Sequence, residues 1–132
     1  MSVTIDGSAG VTTNAGGSVN PSTTIDGINY SCRAWVNFNG TGTVAIRASG
    51  NVTSITDNGV GDYTVNFTTA MSDANYSVGG VIKYNTSTTV GTDIRFEIRS
   101  ATALTASAFR IVTSNYTGGT ADVDTAMLNV FR

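Results

Sequence analysis

The sequence predicts an all-β fold: an antiparallel β-sandwich, jelly-roll-like or lectin-like, of about eight strands behind an extended N-terminal arm. Three observations carry this. Short runs of alternating apolar and polar residues follow one another, with turn signals about every 8–12 residues. The chain of 132 residues holds 15 Gly but one Pro, and Thr, Val and Asn are frequent, a composition suited to strands joined by tight turns. Glu97 is the only Glu and Lys83 the only Lys, although surface helices use both heavily.

Taken in order, residues 1–27 are Gly, Ser, Thr, Asn and Val with few large apolar groups. Such a segment cannot build a core alone. It reads either as a flexible tail or as an arm that orders against another chain, with a reach on the order of 90 Å when fully extended. The sandwich domain is expected over 28–132. Cys32, Ala34, Val36 and Phe38 alternate with Arg33, Trp35 and Asn37, giving a strand with one apolar face. Asn39-Gly40 marks a turn, and a second strand follows with Val44, Ile46 and Ala48 on one parity. Val52 to Asp57 is a weaker strand whose alternation breaks near Ser54, where a bulge is expected.

Asn58-Gly59-Val60-Gly61 is the next turn, and Tyr63, Val65 and Phe67 alternate cleanly beyond it. Met71 to Asn75 is expected to form a turn or a single helical turn, too short to stand as a helix. Tyr76, Val78, Gly80, Ile82 and Tyr84 share a parity, with glycines that point to a bend or a close backbone approach. After a polar loop, Ile94, Phe96 and Ile98 oppose Arg95, Glu97 and Arg99. Phe109 and Ile111 form a short strand, and Met127, Leu128, Val130 and Phe131 the last one. The expected core is Val36, Phe38, Ile46, Val65, Phe67, Ile82, Phe96 and Ile98, which share a parity within each strand.

Composition also excludes function classes. The net charge is −2 with no basic run, so no nucleic-acid surface is expected. No apolar stretch reaches the length of a membrane span, so membrane insertion is not expected. The N-terminus lacks the basic and apolar regions of a secretory signal. The chain has no His and one Cys, Cys32, which removes the Ser-His and Cys-His nucleophile pairs and His- or thiolate-held zinc. Asp57 with Asp62, and Asp122 with Asp124, are the carboxylate pairs a glycosidase or a calcium site would need. Asp beside Gly is far more often a turn former. No catalytic residue, metal or cofactor is expected, and the chain does not read as an enzyme. Trp35 is the remaining candidate: a core residue, a subunit contact or a ligand platform.

The wording of Arg33-Ala34-Trp35-Val36-Asn37-Phe38-Asn39-Gly40, Gly42-Thr43-Val44-Ala45-Ile46-Arg47-Ala48-Ser49, Ile55-Thr56-Asp57-Asn58-Gly59, Gly61-Asp62-Tyr63-Thr64-Val65-Asn66-Phe67 and Asp73-Ala74-Asn75-Tyr76 resembles a module of tail-fibre and other virion proteins of tailed bacteriophages. It covers about a third of the chain. Val60 and Ser72 depart from the module at turns. Further on, the alternation through Phe96 and Phe109 loosely resembles H-type lectin sandwiches, whose closing strand ends in Trp where this chain has Phe131-Arg132.

The resemblance implies a non-enzymatic virion structural protein on the tail or capsid exterior, made in the host bacterial cytoplasm. It implies a short tail-fibre or adhesin-like component that assembles as a homotrimer with other virion proteins as partners, and with a host surface glycan as a further partner. The alternatives are a capsid decoration protein that clamps the head through its N-terminal arm, or a carbohydrate-binding module. Arg33, Trp35, Arg95 and Arg99 are the expected interface, because Arg and Trp combine large contact area with hydrogen-bonding tips.

Overall fold

The computed structural model describes residues 31–83, 95–99, 104–115 and 117–132, and the backbone of four short strands nearer the N-terminus. Those four are β1 (Val3–Asp6), β2 (Gly10–Thr13), β3 (Thr24–Ile25) and β4 (Ile28–Asn29). β1 pairs with β2 and β3 with β4, both antiparallel. The expectation of an arm over 1–27 otherwise lies outside the described residues. The chain divides into two compact units, Met1–Tyr30 and Ser31–Arg132.

The second unit is all β. It contains β5 (Cys32–Asn39), β6 (Ala45–Gly50), β7 (Val52–Gly59), β8 (Asp62–Phe67), β9 (Ser77–Lys83), β10 (Arg95–Ile98), β11 (Ala108–Ser114) and β12 (Thr125–Phe131). These eight strands form two antiparallel sheets, ordered β6-β5-β12-β9 and β10-β11-β8-β7. The first and last strands of the unit are neighbours at the centre of one sheet, so its closure is long-range. A sandwich of two such sheets is the predicted class.

Alternation decides what faces inward. On β5, Ala34, Val36 and Phe38 are buried, and on β8 Tyr63, Val65 and Phe67 are. β11 contributes Phe109 and Ile111, and β12 Ala126, Leu128 and Val130. Rings lock the two sheets together. Phe38 meets Tyr63 edge to face at 5.3 Å between centroids, and Phe67 packs on Tyr76 and Phe109, each at 5.7 Å. Edge-to-face contact is the favoured geometry of aromatic pairs.

The break near Ser54 is a register shift between Val52 and Ser54 where β7 pairs with β8. Gly80 is a close approach: a Cβ there would lie 2.9 Å from a Leu128 methyl. Met71 to Asn75 forms no helix; Asn75 N–H donates to Asp73 Oδ1 at 2.7 Å, an Asx turn. The core differs from expectation at its margin. Ile46, Ile82 and Phe96 are only partly buried against it, and Ile98 is 38% exposed. Each lies on an edge strand, where the opposite sheet covers less. Tyr84 and Ile94 lie outside the described residues.

This difference is measurable. Phe67→Ala is expected to destabilise the domain by about 3–5 kcal/mol, the range for a buried ring removed from a core. Ile98→Ala is expected to stay under about 1 kcal/mol, because little packing is lost at an exposed site. Urea denaturation of both variants checks the ranking.

Candidate functional site

The outer faces of the two sheets differ, and the difference follows from which residues fill the alternate positions. On β7 and β8 of the β10-β11-β8-β7 sheet they are polar and mutually bonded. The Asn66 amide donates to Ser54 Oγ at 3.1 Å and Thr56 Oγ1 at 3.0 Å, and the Asn58 amide to Thr64 Oγ1 at 2.9 Å. On the β6-β5-β12-β9 sheet, Trp35, Val81, Met127 and Phe131 are exposed.

Strand register places these residues. Trp35 on β5 stands opposite Gly50 of β6 and Asn129 of β12, and Asn129 stands opposite Gly79 of β9. In the next row Asn37 lies between Ala48 and Met127, and Met127 opposite Val81. The two glycines shape the row. The pyrrole edge of the Trp35 indole occupies the space where a Gly50 side chain would be, and Asn129 Oδ1 lies 2.8 Å from where a Gly79 Cβ would sit. Indole and amide therefore lean apart, each over a glycine. Trp35 is 45% exposed.

At the end of this face Phe131 pairs with Cys32, and the register shift leaves Arg33 as the extra residue of a bulge, which breaks the alternation so that Cys32 is exposed and not on the apolar face expected of it. Arg33 is exposed. At the other end Arg47 Nη2 donates to the Asp124 carbonyl at 2.8 Å, and Asp124 is shared between Arg47 and Lys83 at 3.4 and 3.5 Å.

The residues expected to make one interface occupy two places. Arg33 and Trp35 lie on β5, and Arg95 lies on β10, in the other sheet, with Arg99 directly after it. Arg95 pairs with Glu97 at 3.0 Å with both side chains more than half exposed, a geometry of little energetic weight. Arg99 instead reaches Asp62 at 2.9 Å. Asp62 is buried and also accepts a bidentate fork from Arg110, Nε at 2.6 Å and Nη2 at 2.7 Å.

Asp57 and Asp122 are likewise committed to the fold. Asp57 Oδ1 accepts from Gly59 N–H at 2.9 Å within the β7–β8 turn. Asp122 Oδ1 accepts from Gly61 N–H at 2.8 Å and from the Tyr63 hydroxyl at 2.9 Å. Among the described residues, no group of three or more acidic or thiol side chains is placed to hold a metal ion.

β9 and β10 are the edge strands of their sheets on one side of the sandwich. A cavity of about 330 Å³ opens there, lined by Gly80, Val81, Ile82, Arg95 and Phe96. Sequence reading did not find Val81, Met127 and Phe131 as surface residues. Their parity, opposite to Ala126, Leu128 and Val130 on β12 and to Val78 and Ile82 on β9, was the available signal.

The Arg110 hydrogen bond holds the Asp62 carboxyl below its ordinary value of 3.8, burial opposes it, and the charges of Arg110 and Arg99 lower it further. A carboxylate lowered in the folded state contributes stability in full above its unfolded value and loses it as pH falls through the lowered folded value. The thermal midpoint is therefore expected to drop as pH is taken below about 4. In Asp62→Asn the midpoint starts lower at pH 7 and falls less over the same acid range. Calorimetry across pH 2–7 checks both.

No protein-family model matches the chain, and no curated protein and no solved structure matches it.

Proposed function

We propose that the chain is a non-enzymatic structural component of a bacteriophage virion, a short tail-fibre or adhesin-like protein that works as a trimer on the particle's exterior. The module resemblance over Arg33 to Tyr76 suggests the class. The observation that carries assembly is the open side of the sandwich at β9 and β10. Among the described residues both sheets end there on unpaired edges, with Ile82 and Phe96 half-buried and Val81 and Ile98 exposed.

Unpaired strand edges are templates for pairing with another chain, and apolar side chains beside them reward the burial. Among the described residues Arg95 at this edge is bonded only to exposed Glu97, and Arg pairs well with a neighbour's carboxylate. Arg99 is already engaged with Asp62 and acts in the fold.

Light scattering of the full chain at micromolar concentration is expected to give about three times 13.6 kDa. Ile98→Asp, which places a charge at the exposed edge, is expected to yield the 13.6 kDa species with the β-rich circular dichroism spectrum retained. A wild-type monomer would refute the assembly. A trimer unmoved by Ile98→Asp would move the contact to another surface.

A further inference from the structure

We propose that the outer face of the β6-β5-β12-β9 sheet is a binding site for an acidic saccharide, a pyranose bearing a carboxylate. Trp35 is the stacking platform, Arg33 the cation and Asn129 the hydrogen-bonding amide. This deepens the adhesin-like reading above and rests on it for biological context, although the site is argued from its own geometry.

Trp35 offers what a sugar ring requires. Its indole is nearly half exposed, and its pyrrole edge is seated on Gly50, where no side chain competes for the space. A π face held in place at no further ordering cost suits the C–H face of a pyranose, because aromatic rings present a negative face to partially positive hydrogens. An amide is the natural partner for vicinal hydroxyls, since it has two donors and a carbonyl acceptor. Asn129, directly across the ladder from Trp35, has no side-chain hydrogen bond among the described residues, and it leans away from the indole over Gly79.

Charge selects the acid. Among the described residues no carboxylate lies in the rows of Trp35 and Asn37, and Asp124 at the margin is shared by Arg47 and Lys83. Arg33 has no ion pair or side-chain hydrogen bond among the described residues and is exposed, in a chain whose net charge is −2. It stands two residues before Trp35 on β5, at the bulge opposite Val130 and Phe131. A guanidinium meets a carboxylate with two parallel hydrogen bonds.

The same face fits a second copy of the chain less well. Its middle holds Asn37 and Asn129 between the apolar groups, and an apolar partner would strip water from an amide without replacing its bonds.

The test is retention of the labelled full chain on an array that displays acidic saccharides, each beside its neutral parent sugar. Retention on acidic members above their neutral parents is expected. Trp35→Ala is expected to abolish it, Arg33→Ala to reduce it at least tenfold with the thermal midpoint unchanged, and Asn129→Ala to weaken it. Equal retention on neutral and acidic members, no retention, or retention unaffected by Arg33→Ala each overturns the proposal. A trimer that retains no acidic saccharide overturns this site and leaves the fibre reading standing. A monomer that does retain one overturns the assembly and leaves the site.

Discussion

A phenol oxygen sealed between two sheets must find its hydrogen-bond partners inside the protein, and the whole sandwich is arranged around one that does. Tyr63 is fully buried. Its hydroxyl lies 2.9 Å from the Gly40 carbonyl and 2.9 Å from Asp122 Oδ1. Gly40 N–H donates to the Val123 carbonyl at 2.8 Å, and Asp122 also takes the Gly61 N–H. Three connections meet at this point: the end of β5, the β7–β8 turn and the approach to β12. Leaving such a group unpaired in the interior costs far more than the bond contributes on the surface. Burial, with the Asp122 carboxylate adding to it, raises the Tyr63 pKa well above its ordinary value, so the hydroxyl keeps its proton and remains a donor through the physiological range.

Two glycines make that junction possible. A Cβ on Gly40 would sit 2.5 Å from the Tyr63 oxygen, and one on Gly61 would sit 2.6 Å from the Thr113 carbonyl. Gly61 also holds a φ of +66°, which side-chain-bearing residues seldom adopt. With the sheets fixed here and by the aromatic cluster of Phe67, Tyr76 and Phe109, the alternate residues of every strand are forced outward. On one outer face, over β7 and β8, Asn, Ser and Thr side chains are bonded to each other. The other carries Trp35, Met127 and Phe131, and with them Asn129, whose amide has no hydrogen bond among the described residues. Function is therefore expected from the second face and from the open β9–β10 edge.

Much of this was legible in the sequence, because parity is a local signal. Val36, Phe38, Val65 and Phe67 are buried as their alternation requires, and Trp35, out of phase with them, is exposed. Parity is silent about strand order. Ile98 has the same alternation as a core residue but belongs to an edge strand, so it is exposed. Arg33 and Arg99 both read as outer-row arginines. One ends in a bulge among the residues around Trp35, and the other is drawn to Asp62, brought two strands away in the same sheet by pairing that no local pattern encodes. Asp62, beside Gly61, and Asp122, in a Gly-bearing loop, read as turn formers. They are instead acceptors for Arg110 and Tyr63, at sequence separations of 48 and 59. Separations of that size are set by topology.

The central claim is that Tyr63 and Asp122 are energetically coupled in holding the sheets together. A double-mutant cycle with Tyr63→Phe and Asp122→Ala, followed by urea denaturation at pH 7, measures that coupling directly. The expected result is a loss of about 1–3 kcal/mol for each single variant and a double variant less destabilised than their sum by at least about 0.5 kcal/mol. Losses that simply add would contradict it, and the junction would then be packing without a hydrogen bond that matters.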